Sequence, residues 1–219
     1  MAEATATAVM IDPSSGQRSG PEADRRRVSP AAQLADRFAA AEVTGPRGVS
    51  LRELAFLTMV GLRAVPGSAA VDRLQTRLGT PLPTGCGDVT TAGNAQVLWL
   101  SPDEFLVISS EPADELTAGL VEALQGEPGS ATDLSANRTT FVLRGPSARS
   151  VLEKGCPLDL HPRAFAVGTA YLTLIGKIPV ILWKIADEEF WILPRSSFAD
   201  FLGRWLLDAM AEFQGPELP

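Results

Sequence analysis

Near its C-terminal end the chain carries three apolar runs, 171–175, 178–185 and 189–194, joined by short connections at Gly176-Lys177 and Asp187-Glu188. A parallel crossover needs about a dozen residues or more, so these runs can pair only as an antiparallel meander. A second pair, 96–100 and 104–109, flanks Ser101-Pro102-Asp103, whose proline presets the dihedral of a tight turn. Chains built on such hairpins belong to the α+β or all-β classes, and the helical patterns between them select α+β.

Those helical patterns are distinct. After an apolar run at 56–62, Ser68 is placed as an N-cap, Ala70, Val71, Leu74 and Leu78 recur at helical spacing, and Gly79 supplies a stop. Asp114 and Glu115 open a second helix with Leu116, Leu120, Val121 and Leu124 on one face. A strand follows at 139–144, then a short helix with Ala148, Val151 and Leu152 as its stripe. The order β-α-β-β-α-β is that of a ferredoxin-like unit, with the strand at 139–144 as its last. The meander and a C-terminal helix follow. In that helix Ser197 and Asp200 have capping-box spacing, and Phe198, Phe201, Leu202, Trp205, Leu206, Met210 and Phe213 trace one broad apolar face.

Residues 1–28, rich in Ala, Ser, Gly, Pro and charge, read as a flexible tail. The expected domain is 29–219, with two packed halves at roughly 49–145 and 146–213 and a short helix near Leu34 and Phe38. The start lacks the basic region of a signal peptide, and no stretch reaches the length of a membrane span. A cytoplasmic protein is expected. The net charge of −7 argues against a nucleic-acid partner.

Chemistry is sparse. His161 is the single histidine, and Cys86 and Cys156 are the only cysteines. Cys156 falls just past a helix C-terminus, the end that disfavours a thiolate. The acidic pairs Asp103-Glu104, Asp114-Glu115 and Glu188-Glu189 fall in turns or at a helix start, where solvated carboxylates are expected. Gly145-Pro146-Ser147 lies where a phosphate loop would, yet its proline removes a backbone donor. The polar cluster Asp133, Ser135, Asn137, Arg138 and Thr139 has two compatible readings. It is either a turn that satisfies its own backbone or a recognition loop in which Arg138 meets a partner's carboxylate.

Several of these blocks carry a resemblance. DLSANRT at 133–139, LRGPSAR at 143–149, KGCPLDLHP at 154–162, LWLSPDEFL at 98–106 and RSSFA at 195–199, followed by Trp205, Leu206 and Asp208, resemble the gamma subunits of heterotetrameric sarcosine oxidases. The blocks span about residues 50–213. The resemblance implies a shortened form of the folate-binding T-protein fold. It also implies assembly with alpha, beta and delta subunits that demethylate sarcosine oxidatively to glycine, hydrogen peroxide and formaldehyde or methylenetetrahydrofolate. FAD, FMN, NAD, zinc and tetrahydrofolate are then expected on the other subunits. On this chain no catalytic, cofactor-binding or metal residue is expected. The interface candidates are Arg138, His161, Arg163 and Phe165, on loops flanking the central helix. A stand-alone folate-binding, aminomethyltransferase-like protein is the alternative, and it would need a pocket lined by a carboxylate and aromatic rings.

Overall fold

The computed structural model describes residues 27–215. Of the expected tail at 1–28, all but Arg27 and Val28 lies outside these residues. The chain enters through a 3₁₀ turn at Ala32–Leu34 and helix α1 (Ala35–Ala40), which bury Leu34 and Phe38. Then come β1 (Ser50–Leu54), β2 (Thr58–Ala64), α2 (Ala69–Leu78), β3 (Val89–Ala92), β4 (Ala95–Ser101) and β5 (Glu104–Ser109). Next are α3 (Ala113–Leu124), β6 (Gly129–Asp133), β7 (Thr140–Arg144) and α4 (Ala148–Glu153). The meander β8 (Ala170–Ile175), β9 (Ile178–Ala186) and β10 (Glu189–Pro194) leads through a 3₁₀ turn at Ser196–Phe198 to α5 (Ala199–Gln214).

Two five-stranded antiparallel sheets result, with strand orders β1-β7-β10-β9-β8 and β3-β4-β5-β2-β6. They pack face to face through Leu54, Leu57, Met59, Leu98, Leu106, Ile108, Val142, Ile181, Trp183, Trp191 and Leu193. On its outer face the first sheet carries α1, α4 and α5, and the second carries α2 and α3. Four layers therefore enclose three apolar cores. The inner strands β5, β7, β9 and β10 are covered on both faces, which explains their apolar runs. Along β10, Phe190 and Ile192 face the helices while Trp191 and Leu193 face the other sheet. The same parity divides Val180 and Leu182 from Ile181 and Trp183 on β9.

The ferredoxin-like unit is present as β2-α2-β4-β5-α3-β6, with one correction. Its fourth strand is Gly129–Asp133, paired with β2, whereas Thr140–Arg144 lies between β1 and β10 in the first sheet. The fourth strand escaped the sequence because it is a polar edge strand, exposed at four of its five positions. The apolar strand at 140–144 was instead buried on both faces of a different sheet. Strands β1 and β3 were missed as well. β1 carries Arg52 and Glu53 inside it, and β3 lies in a stretch rich in Gly and Pro.

Turn chemistry matches the meander. Gly176 and Lys177 both have positive φ, +54° and +73°, as the tightest two-residue hairpins require. A side chain on Gly176 would also strike the Trp205 ring, which lies 2.9 Å from the position of its Cβ. The start of α5 departs from expectation. Ser197 caps nothing, because the helix begins only after the 3₁₀ turn. The Asp200 carboxylate instead accepts from Arg204 Nε at 2.8 Å and Gln33 Nε2 at 3.1 Å. These bonds hold it below the usual carboxylate range. Their stabilisation is therefore present above the unfolded value, near pH ~3.9, and is lost as pH falls through the lowered one. Nor is the broad apolar face of α5 buried throughout. Leu202, Leu206 and Met210 are fully covered, but Phe198 and Phe201 are 37% and 54% exposed.

Candidate functional site

The polar cluster occupies the crossover that carries the chain from β6 in the second sheet to β7 in the first. Asp133 Oδ1 accepts from the backbone N–H of Ser135 at 2.8 Å and from its hydroxyl at 2.6 Å. Ser135 Oγ in turn accepts from Met59 N at 3.0 Å, and Leu134 N donates to the Met59 carbonyl at 2.7 Å. One end of the crossover is thus tied to β2. At the other end, Thr139 Oγ1 donates to Glu53 Oε1 on β1 at 2.5 Å. Glu53 also accepts from Ser29 Oγ at 2.5 Å and from Ala31 N at 3.2 Å, so one carboxylate binds the entering chain, β1 and the crossover. The turn reading accounts for Asp133 and Ser135, whereas the Thr139 hydroxyl serves a distant strand.

Arg138 stands apart within the cluster. Its backbone forms an antiparallel bridge with Arg195, and its Nη1 donates to the Leu193 carbonyl at 3.0 Å. Burial, then the charge of Arg195, push its guanidinium below the ordinary value, with Glu104 acting in the opposite sense. Arg138 is half-buried and Arg195 is exposed.

His161 and Arg163 are exposed in the loop between α4 and β8. His161 N donates to Asp159 Oδ1 at 2.9 Å, and Arg163 N donates to His161 Nδ1 at 3.2 Å, so one imidazole nitrogen serves the loop itself. Phe165 requires correction. It is 1% exposed, its ring packs on Tyr171 and Phe190, and its carbonyl accepts from the buried Lys184 ammonium at 3.2 Å. A side chain so placed belongs to this chain's own core and offers nothing to a partner.

The glycine turns are equally occupied. Gly145 N donates to the Glu188 carbonyl at 2.8 Å and Ser147 N to that of Gly48 at 3.0 Å, so neither amide is left to cradle a phosphate. Gly85 N donates to Asp88 Oδ2 at 2.8 Å, and the Gly87 carbonyl accepts from Ala170 N at 3.1 Å, joining the two sheets. Cys86 and Cys156 are unpaired thiols, one exposed and one half-buried against Thr173. Among the described residues no group of three or more His, Cys, Asp or Glu side chains is arranged to hold a metal ion.

Two grooves flank α1. One of about 480 Å³ lies against α5, lined by Arg37, Arg204 and Asp208 among others. The second, of about 510 Å³, lies against β1 and includes Phe38 and Glu53 in its wall. It has the carboxylate and the ring that a pteridine site calls for, but Glu53 already accepts three donors and Phe38 is 3% exposed. Neither is presented to a ligand.

Known proteins place these features. The sequence profile of the sarcosine oxidase, gamma subunit family matches residues 61–212. The sarcosine oxidase subunit gamma of Arthrobacter sp. is 49% identical over 196 residues, covering 89% of this chain and 95% of the relative. A chain of the heterotetrameric sarcosine oxidase from Corynebacterium sp. U-96, solved in complex with pyrrole 2-carboxylate, superposes with a TM-score of 0.85 at 48% identity. That match covers 88% of this chain and 99% of the other. The glycine cleavage system aminomethyltransferase T from Bartonella henselae shares the fold alone, with a TM-score of 0.56 at 17% identity over 80% of this chain and 48% of its own. By sequence along most of its length, and by a fold that agrees from end to end with a subunit-sized chain, this protein belongs to the sarcosine oxidase gamma subunit family.

Proposed function

We propose that the chain is a non-catalytic subunit of a heterotetrameric sarcosine oxidase, contributing to the assembly rather than to the reaction. The observation that carries this reading is the match to a chain of such an oxidase over 99% of that chain's length. The internal use of the polar groups supports it. Asp133, Ser135, Thr139, Glu53, Gly145 and Ser147 all bond within the chain, and the single histidine lies in an exposed loop. In this reading the partners are the alpha, beta and delta subunits. FAD, FMN, NAD, zinc and tetrahydrofolate, with the oxidation of sarcosine itself, then reside on those subunits. Two unpaired cysteines and the lack, among the described residues, of a helix able to cross a membrane accord with a cytoplasmic complex. The stand-alone folate-binding reading draws on a likeness of fold alone, and folds of this kind host many functions.

Co-expression tests membership. The full chain, tagged and produced with the other oxidase subunits, is expected to bring down a yellow complex with flavin absorbance and sarcosine oxidase activity. Recovery of the tagged chain by itself, with the flavoprotein subunits left in the unbound fraction, would refute it.

A further inference from the structure

At the start of α5 an apolar surface is left open beside a pair of arginines. Phe198 closes the 3₁₀ turn and Phe201 follows three residues on, the spacing that puts two side chains on one face. Along that helix Leu202, Leu206, Leu207, Met210 and Phe213 are buried and Trp205 is half-buried, so 37% and 54% exposure at these two rings stands apart. Phe198 N donates to the Arg195 carbonyl at 2.9 Å, which fixes Arg195 at the rim of the same turn.

Arg195 and Arg138 stand opposite each other across an antiparallel bridge. Like charges so placed repel, an arrangement that sheets avoid unless something offsets it. Little within the described residues does. Glu104 acts on Arg138 from a distance, but its carboxylate is bonded to Arg63 at 2.8 Å. Arg195 has no ion pair among the described residues. The chain has 26 acidic against 19 basic residues, so two arginines that meet with no acid bonded to either among the described residues run against its overall balance. Arginine beside exposed aromatic rings is the composition enriched at the centres of protein interfaces, and the guanidinium fork matches a carboxylate.

We propose that this surface receives an acidic segment of another oxidase subunit, its carboxylate held between Arg195 and Arg138 and an adjoining apolar side chain covering Phe198 and Phe201. The proposal rests on the reading of the chain as an oxidase subunit. Arg138 is oriented in advance by its bond to the Leu193 carbonyl, while Arg195 is free to close on the incoming group. The charge complementarity favours an acidic partner over a second copy of this chain, whose own arginines would repel across such a contact. Another apolar surface exists at Leu172 and Leu174 on the edge strand β8, 57% and 43% exposed, but that strand carries no charged residue to select a partner.

The test uses the full chain and the complete set of oxidase subunits. Arg195→Glu and Phe201→Ser are compared with Leu172→Ser for affinity to the complex lacking this chain, at low and high salt. The first two are expected to weaken assembly by about tenfold or more, as for central interface residues. Leu172→Ser is expected to assemble normally, and the unmodified chain is expected to lose affinity as salt rises. Melting temperatures of the isolated variants report whether the fold is intact, and either of the two alone, if folded, decides the matter. Normal assembly of folded Arg195→Glu or Phe201→Ser would overturn the surface. So would a loss confined to Leu172→Ser, or an isolated chain that is a dimer split by these substitutions. If the unmodified chain fails to assemble, the subunit reading itself falls; if it assembles and the variants do so equally, only the surface falls.

Discussion

Truncating Phe165 to alanine is expected to cost about 3–5 kcal/mol of folding stability, the range for a large aromatic side chain removed from a packed core. The ring centroid lies 5.5 Å from that of Tyr171 and 6.2 Å from that of Phe190. Its backbone carbonyl meets the ammonium of Lys184, a lysine only 2% exposed. A cavity here would remove apolar contacts from β8 and β10 and loosen the loop that satisfies a buried charge. Urea unfolding of the full chain measures it, as a lower midpoint with an unchanged denaturant slope. A loss below about 1 kcal/mol would place the ring in solvent. That outcome would return Phe165 to the interface candidates.

Gly145→Ala is expected to be comparably severe for a different reason. Gly145 has φ of +123°, outside the range that residues with a Cβ adopt readily, and strain of that kind costs about 1–3 kcal/mol. In addition, a Cβ there would sit 2.5 Å from the Gly48 carbonyl oxygen, which already accepts from Ser147 N. The obstacle is backbone, so it cannot rotate away, and it belongs to the bond that docks the start of α4 onto the segment before β1. A total loss of about 3 kcal/mol or more is expected, read as a drop in melting temperature of the full chain. Unaltered stability would show that the turn after β7 is not held as described.

What the sequence disclosed followed from local pattern. Strands β9 and β10 were legible because both faces are buried, so apolar residues run without interruption from Val180 to Trp183 and from Phe190 to Leu193. Helices α2 and α3 were legible because one side of each stays wet. The fourth ferredoxin strand was not, because Gly129–Asp133 pairs through its backbone at a solvated edge and needs no apolar side chain. The apolar face of α5 was read correctly as a pattern, but a pattern does not say how much of it the same chain covers. Phe198 and Phe201 are the part left over.

The candidate site divides along the same line. The Asp133 and Ser135 pairing spans two residues and is visible in sequence as a turn. Glu53 was invisible, because its partner Thr139 lies 86 positions away and no motif links them. Phe165 was misplaced for a related reason. It sits in a loop with no periodicity, and its burial is set by Tyr171 and Phe190 from other elements. Arg195 was quoted within the RSSFA block without a role, and only the bridge to Arg138 gives it one.

The proposed role of this chain is in assembly, with none of the reacting groups of the oxidase. It is tested most directly by removing at once the side chains best suited to nucleophilic or proton-transfer chemistry, as His161→Ala, Cys86→Ala and Cys156→Ala in one full-length chain. Sarcosine-dependent peroxide formation is then measured on the purified, fully assembled complex. The expected kcat and KM equal those of the unmodified complex. A loss of about tenfold or more in kcat, with assembly and flavin content intact, would contradict it.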